Sequence, residues 1–176
     1  MPRSAAGALL LSALLTGGAA YGQASYLETF DAAGEVASGQ LGPAGLISRG
    51  WVFRRQASPA SYGTYVALGN YTYEGAGALY VDSSVTQFGG SGAMWAVLPP
   101  VAGQMAGDPL SFWVTQGSSV GGAPLGRLQV RYSPSGGTST GSGPADVGDF
   151  SVVLLDLPGL GAGEPWNRRT ATVPGN

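Results

Sequence analysis

Glycine and proline recur so closely along this chain that they limit the length of every regular segment it can form. The sequence has 31 glycines and 12 prolines among 176 residues, and after residue 25 they interrupt every long window. An amphipathic helix needs an unbroken 3.6-residue apolar period, whereas short strands joined by turns tolerate frequent interruption. The spacing therefore predicts an all-β chain of short strands.

The first residues, 1–24, have the order of features typical of a secretory signal peptide. Arg3 supplies a positive charge, Ala5–Leu15 is an apolar run, and Gly22-Gln23-Ala24 is a small-x-small cleavage pattern. Gly18-Ala19-Ala20 offers a second cleavage point. The apolar run is shorter than the roughly 20 residues that a membrane-spanning helix needs. We therefore expect a secreted, extracellular protein, free or associated with the cell surface.

The expected mature chain, 25–176, has the size of one domain and no membrane span. It contains no cysteine, so disulfides and thiolate chemistry are excluded. The net charge is −2, the pI is about 4.9, and all eight basic residues are arginine. Because nucleic-acid binding depends on a basic surface that displaces counterions, this balance argues against a nucleic-acid partner.

Eight short runs have strand-like patterns. They are Tyr26–Asp31, Gly50–Arg54, Ala78–Val81, Ala93–Leu98, Leu110–Val114, Arg127–Ser133, Phe150–Leu155 and Trp166–Val173. Strands at this spacing, without helices between them, predict an antiparallel jelly-roll-like β-sandwich. The large aromatic residues inside apolar runs are expected in its core. These are Trp51, Trp95, Phe112 and Trp113.

Two of these runs carry further expectations about burial. Arg127–Ser133 alternates apolar and polar residues, which predicts one buried face and one wet face. Phe150–Leu155 is apolar enough to be covered on both faces. Between them, residues 133–144 are rich in serine and glycine and are expected to form a mobile loop.

The order of several segments resembles one bacterial family. In chain order they are Leu27–Asp31, Gly50–Val52, Ala93–Val101, Pro109–Val114, Gly126–Ser133 and Trp166–Gly175. Together they resemble the choice-of-anchor J domains, which are similar to cleaved-adhesin and MAM-type jelly-roll sandwiches. The resemblance implies a domain for adhesion or surface display, with an extracellular matrix or surface component as partner. Because that family continues with two more strands and a sorting segment, we expect the sandwich to lack its last strands here.

The side-chain inventory argues against an enzyme. The chain has no histidine, cysteine or lysine, which removes the usual general base, the thiolate nucleophile and Schiff-base chemistry. A pair of carboxylates acting as a glycoside hydrolase is the remaining catalytic alternative. The ten acidic residues show no recognisable catalytic motif, so we expect a non-catalytic domain.

A tyrosine-rich segment suggests a second function, carbohydrate binding. Its candidate residues are Tyr62, Tyr65, Asn70, Tyr71, Tyr73 and Glu74. Tyrosine rings can stack on sugar faces, while amide and carboxylate oxygens accept hydrogen bonds from hydroxyl groups. The alternation Tyr71-Thr72-Tyr73 is equally typical of a strand that packs its tyrosines against a neighbouring strand, and this structural interpretation is the favoured one.

The family resemblance also implies a structural calcium ion, with Glu28 and Asp31 as ligands. Calcium takes six to eight oxygen ligands, and these two carboxylates stand close together at the start of the mature chain. Asp82 and Asp108 are weaker candidates. The alternative is that Glu28 and Asp31 are ordinary charges at the end of a strand. No other cofactor is expected.

Overall fold

The computed structural model describes residues 26–35, 40–58, 64–68, 72–81, 91–115, 127–143, 145–158 and 165–174. The segment interpreted as a signal peptide lies outside these residues. Within them the chain forms one short helix and eight strands. These are α1 Ala44–Ser48, β1 Val52–Ser58, β2 Thr64–Leu68, β3 Gly77–Val81, β4 Ser91–Val97, β5 Pro109–Val114, β6 Leu128–Tyr132, β7 Val152–Leu157 and β8 Asn167–Thr172.

All pairing among the described strands is antiparallel, so the all-β prediction is confirmed at that level. The four ladders are β1 with β4, β2 with β3, β5 with β8, and β6 with β7. Each inner pair lies between the two strands of an outer pair in sequence. The chain therefore has two units of the same nested topology, a first unit from α1 to β4 and a second unit from β5 to β8.

A small aromatic core lies in the first unit. Trp51 and Phe53 flank the start of β1, and both are buried together with Ala33 and Leu46. The rings of Trp51 and Phe53 stack with their centroids 6.2 Å apart, and Phe30 meets Trp51 edge-on at 5.9 Å. Burial of such rings dominates the stability of a small core, since each removes a large apolar area from water.

The approach of the chain to this core requires glycine at position 42. Gly42 is buried against the ring of Phe53, and a Cβ atom there would overlap the ring carbons. The next residues lead through Pro43 into α1, which ends in a turn where Trp51 N–H donates to the carbonyl of Leu46. The helix thus sets the position at which Trp51 enters the core.

The predicted first strand, Tyr26–Asp31, is wrong. This segment has no ladder partner among the described residues, and Phe30 has a left-handed φ of 61°. The carboxylate of Glu28 accepts the N–H of Phe30 at 2.9 Å, and that of Asp31 accepts the N–H of Ala76 at 2.6 Å. Side-chain hydrogen bonds to the backbone replace the bonds of a ladder, which ends extended structure locally.

The other seven predicted strands overlap observed ones, with ends displaced by up to four residues, whereas α1 and β2 were not predicted. In β7 the prediction of cover on both faces is wrong, since Val153 is 44% exposed. Val130 lies opposite Leu155 and Arg131 opposite Val153, so Leu154 is an extra residue in a β-bulge. Because the bulge shifts the alternation by one, Val152, Leu155 and Leu157 lie on one face.

The other face of the β6–β7 pair is polar and carries an ion pair. Arg127 forks onto both oxygens of Asp156, with Nε donating at 2.7 Å, and Gln129 donates to the same carboxylate. The Arg127 guanidinium holds the pKa of Asp156 down to about 2. The prediction that apolar and polar residues of Arg127–Ser133 lie on opposite faces is therefore correct. The prediction that the apolar face is buried and the polar face wet is wrong at two residues, since Leu128 is 38% exposed and Ser133 is buried.

The serine-rich segment after β6 is organised by two aspartates. Asp149 accepts the N–H of Ser139 at 2.8 Å. Asp146 accepts the N–H groups of Ser142 and Gly148 at 2.9 and 3.1 Å, and these bonds lower the pKa of its carboxyl. The predicted mobility of residues 133–144 stays a prediction, with Pro144 outside the described residues.

Candidate functional site

The β5–β8 ladder has one exposed and one half-buried face. Burial alternates along both strands, as the period of two in a strand requires. The exposed side chains are Pro109, Ser111 and Trp113 on β5 and Arg168, Thr170 and Thr172 on β8. In the register of the ladder, Trp113 lies opposite Arg168 and Ser111 opposite Thr170. Directly opposite side chains share a face, so an aromatic ring, a guanidinium and several hydroxyls lie together.

An aromatic stack extends this exposed face. Tyr73, from the segment before β3, stacks on Trp113 with ring centroids 3.8 Å apart and planes 15° from parallel. Trp166 meets Tyr73 edge-on at 6.0 Å. Tyr73 and Trp113 nevertheless remain 46% and 42% exposed. We call Tyr73, Trp113 and Trp166, with the exposed side chains of β5 and β8, the platform.

The prediction that Trp113 belongs to the core is wrong. Phe112 and Trp113 are neighbours on a strand, so they point to opposite faces, and Phe112 is the one turned inward. Trp51 is buried as expected, while Trp95 and Phe112 are half-buried. The sequence does not indicate which of the two residues is exposed, because Phe112 and Trp113 are both large and apolar although they point to opposite faces. The polar partners of Trp113 across the ladder, contributed by β8, were the missing signal.

The favoured interpretation of Tyr71-Thr72-Tyr73 as a strand is also wrong at its described end. Residues 73–76 form a bend, and β3 begins only at Gly77. Gly77 passes so close to the carbonyl of Phe30 that a Cβ atom would collide with it. The bend carries Tyr73 across to the second unit, where it reaches Trp113.

The remaining predicted sugar-binding residues divide into three groups. Glu74 follows Tyr73 in the bend and is exposed. Tyr65 is part of β2 and lies opposite Tyr80 in the β2–β3 register. Tyr62, Asn70 and Tyr71 lie outside the described residues. The part of the predicted site that the structure places is therefore Tyr73 with Glu74, joined by Trp113 from β5.

The two predicted calcium ligands make other contacts. Arg49 donates to both carboxylate oxygens of Glu28, at 3.1 and 3.0 Å, and Asp31 binds the N–H of Ala76. No group of three acidic side chains suited to a metal occurs among the described residues. The weaker candidate Asp108 accepts the N–H of Met105 at 2.7 Å, and Asp82 lies outside the described residues. Calcium binding stays a prediction, which melting with calcium and with a chelator would test.

The described part of the chain also has a shallow groove beside the core. It encloses about 340 Å³ and is lined mainly by Leu41, Ile47, Trp51 and Phe53. Trp51 and Phe53 belong to the core, Leu41 packs against it, and Ile47 is exposed. We therefore treat the groove as the open edge of the core, and the platform as the candidate site.

Comparison of the chain with protein-family models, curated proteins and solved structures gave no match in any of the three. Within the described part of the chain, no helix has the length and apolar character of a membrane span. Functional inference therefore depends on the platform.

Proposed function

We propose that this chain is a non-catalytic extracellular domain that binds carbohydrate with the platform and serves adhesion or surface display. The observation that carries the proposal is the exposed Tyr73–Trp113 stack. Large aromatic residues are normally buried, and two neighbouring rings at more than 40% exposure keep apolar area in contact with water. A ligand with an apolar face and polar edges would cover these rings and meet the hydroxyls beside them.

Sugar rings match this description because their axial C–H groups form apolar faces and their hydroxyls point outward. Ser111, Thr170 and Thr172 provide hydroxyls that donate and accept, and Arg168 provides donors. From Pro109 to Trp113 the face is about 13 Å long, since a strand rises about 3.3 Å per residue. A flat strip of this length suits a stretch of polysaccharide chain more than an enclosed small molecule.

For the architecture, we propose a jelly-roll-like sandwich of the choice-of-anchor J kind, exported by the leader 1–24. Two nested antiparallel units support a layered arrangement, because the β5–β8 ladder has a less exposed, more apolar face that needs cover. In this proposal the platform is the outer face of one layer, and the partner is a glycan of the matrix or of a cell surface.

We propose a non-catalytic domain for two reasons. The chain lacks histidine, cysteine and lysine, and several of its acids are engaged in other contacts. Glu28 and Asp156 are paired with arginines, while Asp146 and Asp149 bind backbone N–H groups. The hydrogen bonds to Asp146 and Asp156 lower the pKa of both carboxyls, so these two are poorly suited to act as general acids. A carboxylate-dependent hydrolase remains the competing proposal, and turnover of a polysaccharide that a single Asp or Glu substitution abolishes would favour it.

The test is binding of the purified protein to a panel of polysaccharides, followed by substitution in the platform. We expect Tyr73→Ala and Trp113→Ala to weaken binding at least tenfold, which corresponds to about 1.4 kcal/mol. Leu128→Ala removes an exposed apolar side chain from β6 and serves as the matched control. The proposal fails if no polysaccharide is retained, or if both platform variants bind as the unmodified protein does.

A further inference from the structure

Arg168, on the exposed face of β8, has no carboxylate partner among the residues that the structure describes. Its guanidinium donates to the hydroxyl of Ser111 at a long 3.4 Å. The ion pairs found among the described residues join Arg49 to Glu28 and Arg127 to Asp156. Because an arginine fork matches carboxylate and sulfate groups with two parallel hydrogen bonds, this side chain is available for an anionic group outside the protein.

The sheet beneath Arg168 adds a second positive charge. Arg169 follows on β8 with its side chain on the half-buried face, and its buried Nε has no hydrogen-bond partner among the described residues. No described carboxylate pairs with either arginine. Glu74, exposed beside Tyr73, is the acid nearest to the aromatic stack in sequence. Arg168 thus places a positive charge on the exposed face of a chain whose net charge is −2, and Arg169 adds a second charge on the opposite face of the same strand.

We infer that the ligand of the platform is an anionic polysaccharide, with Arg168 pairing to its carboxylate or sulfate groups while a sugar ring stacks on the aromatic residues. This inference rests on the proposed carbohydrate binding and narrows it to one substrate class. Trp113 and Arg168 are directly opposite in the ladder, so their Cβ atoms are about 5 Å apart. One monosaccharide unit can therefore contact the indole ring and the guanidinium at once.

A single-stranded nucleic acid also offers flat rings and anions, and aromatic residues with arginines bind it elsewhere. That binding depends on several phosphate contacts along a basic groove, and a salt-dependent backbone term supplies most of its affinity. The platform presents one exposed arginine on an acidic chain. The charge balance therefore favours a polysaccharide that binds mainly by stacking of its sugar rings. Its anionic group would pair with one arginine, Arg168.

The experiment compares four polymers with the purified protein by affinity electrophoresis. Polygalacturonate carries carboxylates, dextran sulfate carries sulfates, dextran is neutral, and a single-stranded oligonucleotide carries phosphates. We expect retention by at least one of the two acidic polysaccharides to exceed retention by dextran tenfold or more, and to fall as salt is added. The stronger of the two identifies the anion.

Substitution of the arginine separates charge recognition from stacking. We expect Arg168→Gln to lose about tenfold in binding to the acidic polymer, and Arg168→Lys to lose less because it retains the charge. Arg127→Gln, which removes an arginine from β6–β7, is the matched control and should bind like the unmodified protein. Melting curves of all variants confirm that they are folded.

The two proposals fail in different ways. Dextran could bind as well as the acidic polymers, with binding lost in Trp113→Ala but unchanged in Arg168→Gln. In that case the carbohydrate proposal stands and the anionic ligand is wrong. If the oligonucleotide is retained most strongly, the anionic polysaccharide is also wrong. If none of the polysaccharides and none of the wider panel is retained, the carbohydrate proposal fails and this inference falls with it.

Discussion

The two nested units of this chain have the same order of strand pairing but differ in how far their aromatic residues are buried. In the first unit, Trp51 and Phe53 are about 95% buried beside Leu46. In the second, Trp113 keeps 42% of its surface exposed, and its partner in the stack is Tyr73 from the first unit. Similar strand sequences therefore produce a core in one unit and a surface in the other.

Under the proposed function, this difference separates the residues that stabilise the fold from those that bind the ligand. The buried rings of the first unit belong to the core cluster of the described residues, so substitutions there should affect folding. Trp113 of the second unit and Tyr73, which stacks on it, each keep more than 40% of their surface exposed, which leaves apolar area for the proposed ligand. A chain with few charged residues can in this way hold a binding face on a rigid ladder while another region supplies the stability.

The units are joined by a polar contact as well as by the aromatic stack. Gln56 on β1 accepts the indole N–H of Trp95 at 2.7 Å and donates to the carbonyl of Thr140 at 2.6 Å. Thr140 is buried, and Trp95 also lies 5.5 Å from Phe150. One glutamine thus connects the outer ladder of the first unit to the serine-rich loop of the second.

The largest expected effect comes from removing a buried ring. Trp51→Ala should destabilise the protein by about 3–5 kcal/mol, because it leaves a cavity beside Phe53 and removes the donor to Tyr26 Oη. Trp113→Ala should cost less than about 1 kcal/mol, since its ring is exposed. Denaturant unfolding followed by circular dichroism measures both. Equal losses would contradict the division between a stabilising and a recognising unit, and Phe53→Leu offers a milder variant if Trp51→Ala does not fold.

An intermediate effect is expected from Gln56→Ala, which should destabilise by about 1–3 kcal/mol because it leaves the buried carbonyl of Thr140 and the indole of Trp95 without their partner. The link between units should weaken first, so unfolding curves read from tryptophan fluorescence and from circular dichroism should separate. Gln104→Ala is the control, since its bond to Tyr132 is long at 3.4 Å. Coincident curves with unchanged midpoints would show that the contact does not couple the units.

The smallest effect concerns the ion pair of the second unit. The pKa of Asp156 is about 2, below its ordinary 3.8, because Arg127 stabilises the charged form. A depressed pKa adds stability that is present above pH 4 and lost as the pH falls to 2. The Tm of the unmodified protein should exceed that of Asp156→Asn by a few degrees at most above pH 4, and the gap should close near pH 2. A gap that is independent of pH, or that Glu74→Gln reproduces, would show that the pair is not responsible.

Part of the fold could be predicted because its cause is local. Frequent glycine and proline exclude long helices, and the short apolar runs between them mark seven of the observed strands. Trp51 was placed correctly in the core. The strand predicted at Tyr26–Asp31 failed because, besides the local bond from Phe30 N–H to Glu28, its carboxylates accept bonds from residues far along the chain, Arg49 and Ala76.

The candidate site could be predicted only in part for a related reason. Tyr73 and Glu74 were chosen for the chemistry of their side chains, but their position depends on a bend that the Tyr-x-Tyr pattern does not indicate. Trp113 was missed because Phe112 and Trp113 are both large and apolar, and Arg168 because it is 55 residues away from Trp113 in sequence. Only the β5–β8 register brings these side chains to one face.

The amino-acid sequence by itself determined that this chain makes short strands, lacks histidine, cysteine and lysine, and has large aromatic residues in several of its apolar runs. The tertiary structure decided which of those residues are buried. Alternation in a strand defines two faces but does not say which one faces inward, because burial is set by the segments that pack against it. Two tertiary features decide which face is exposed in this chain. They are the bulge at Leu154 and the stack of Tyr73 on Trp113.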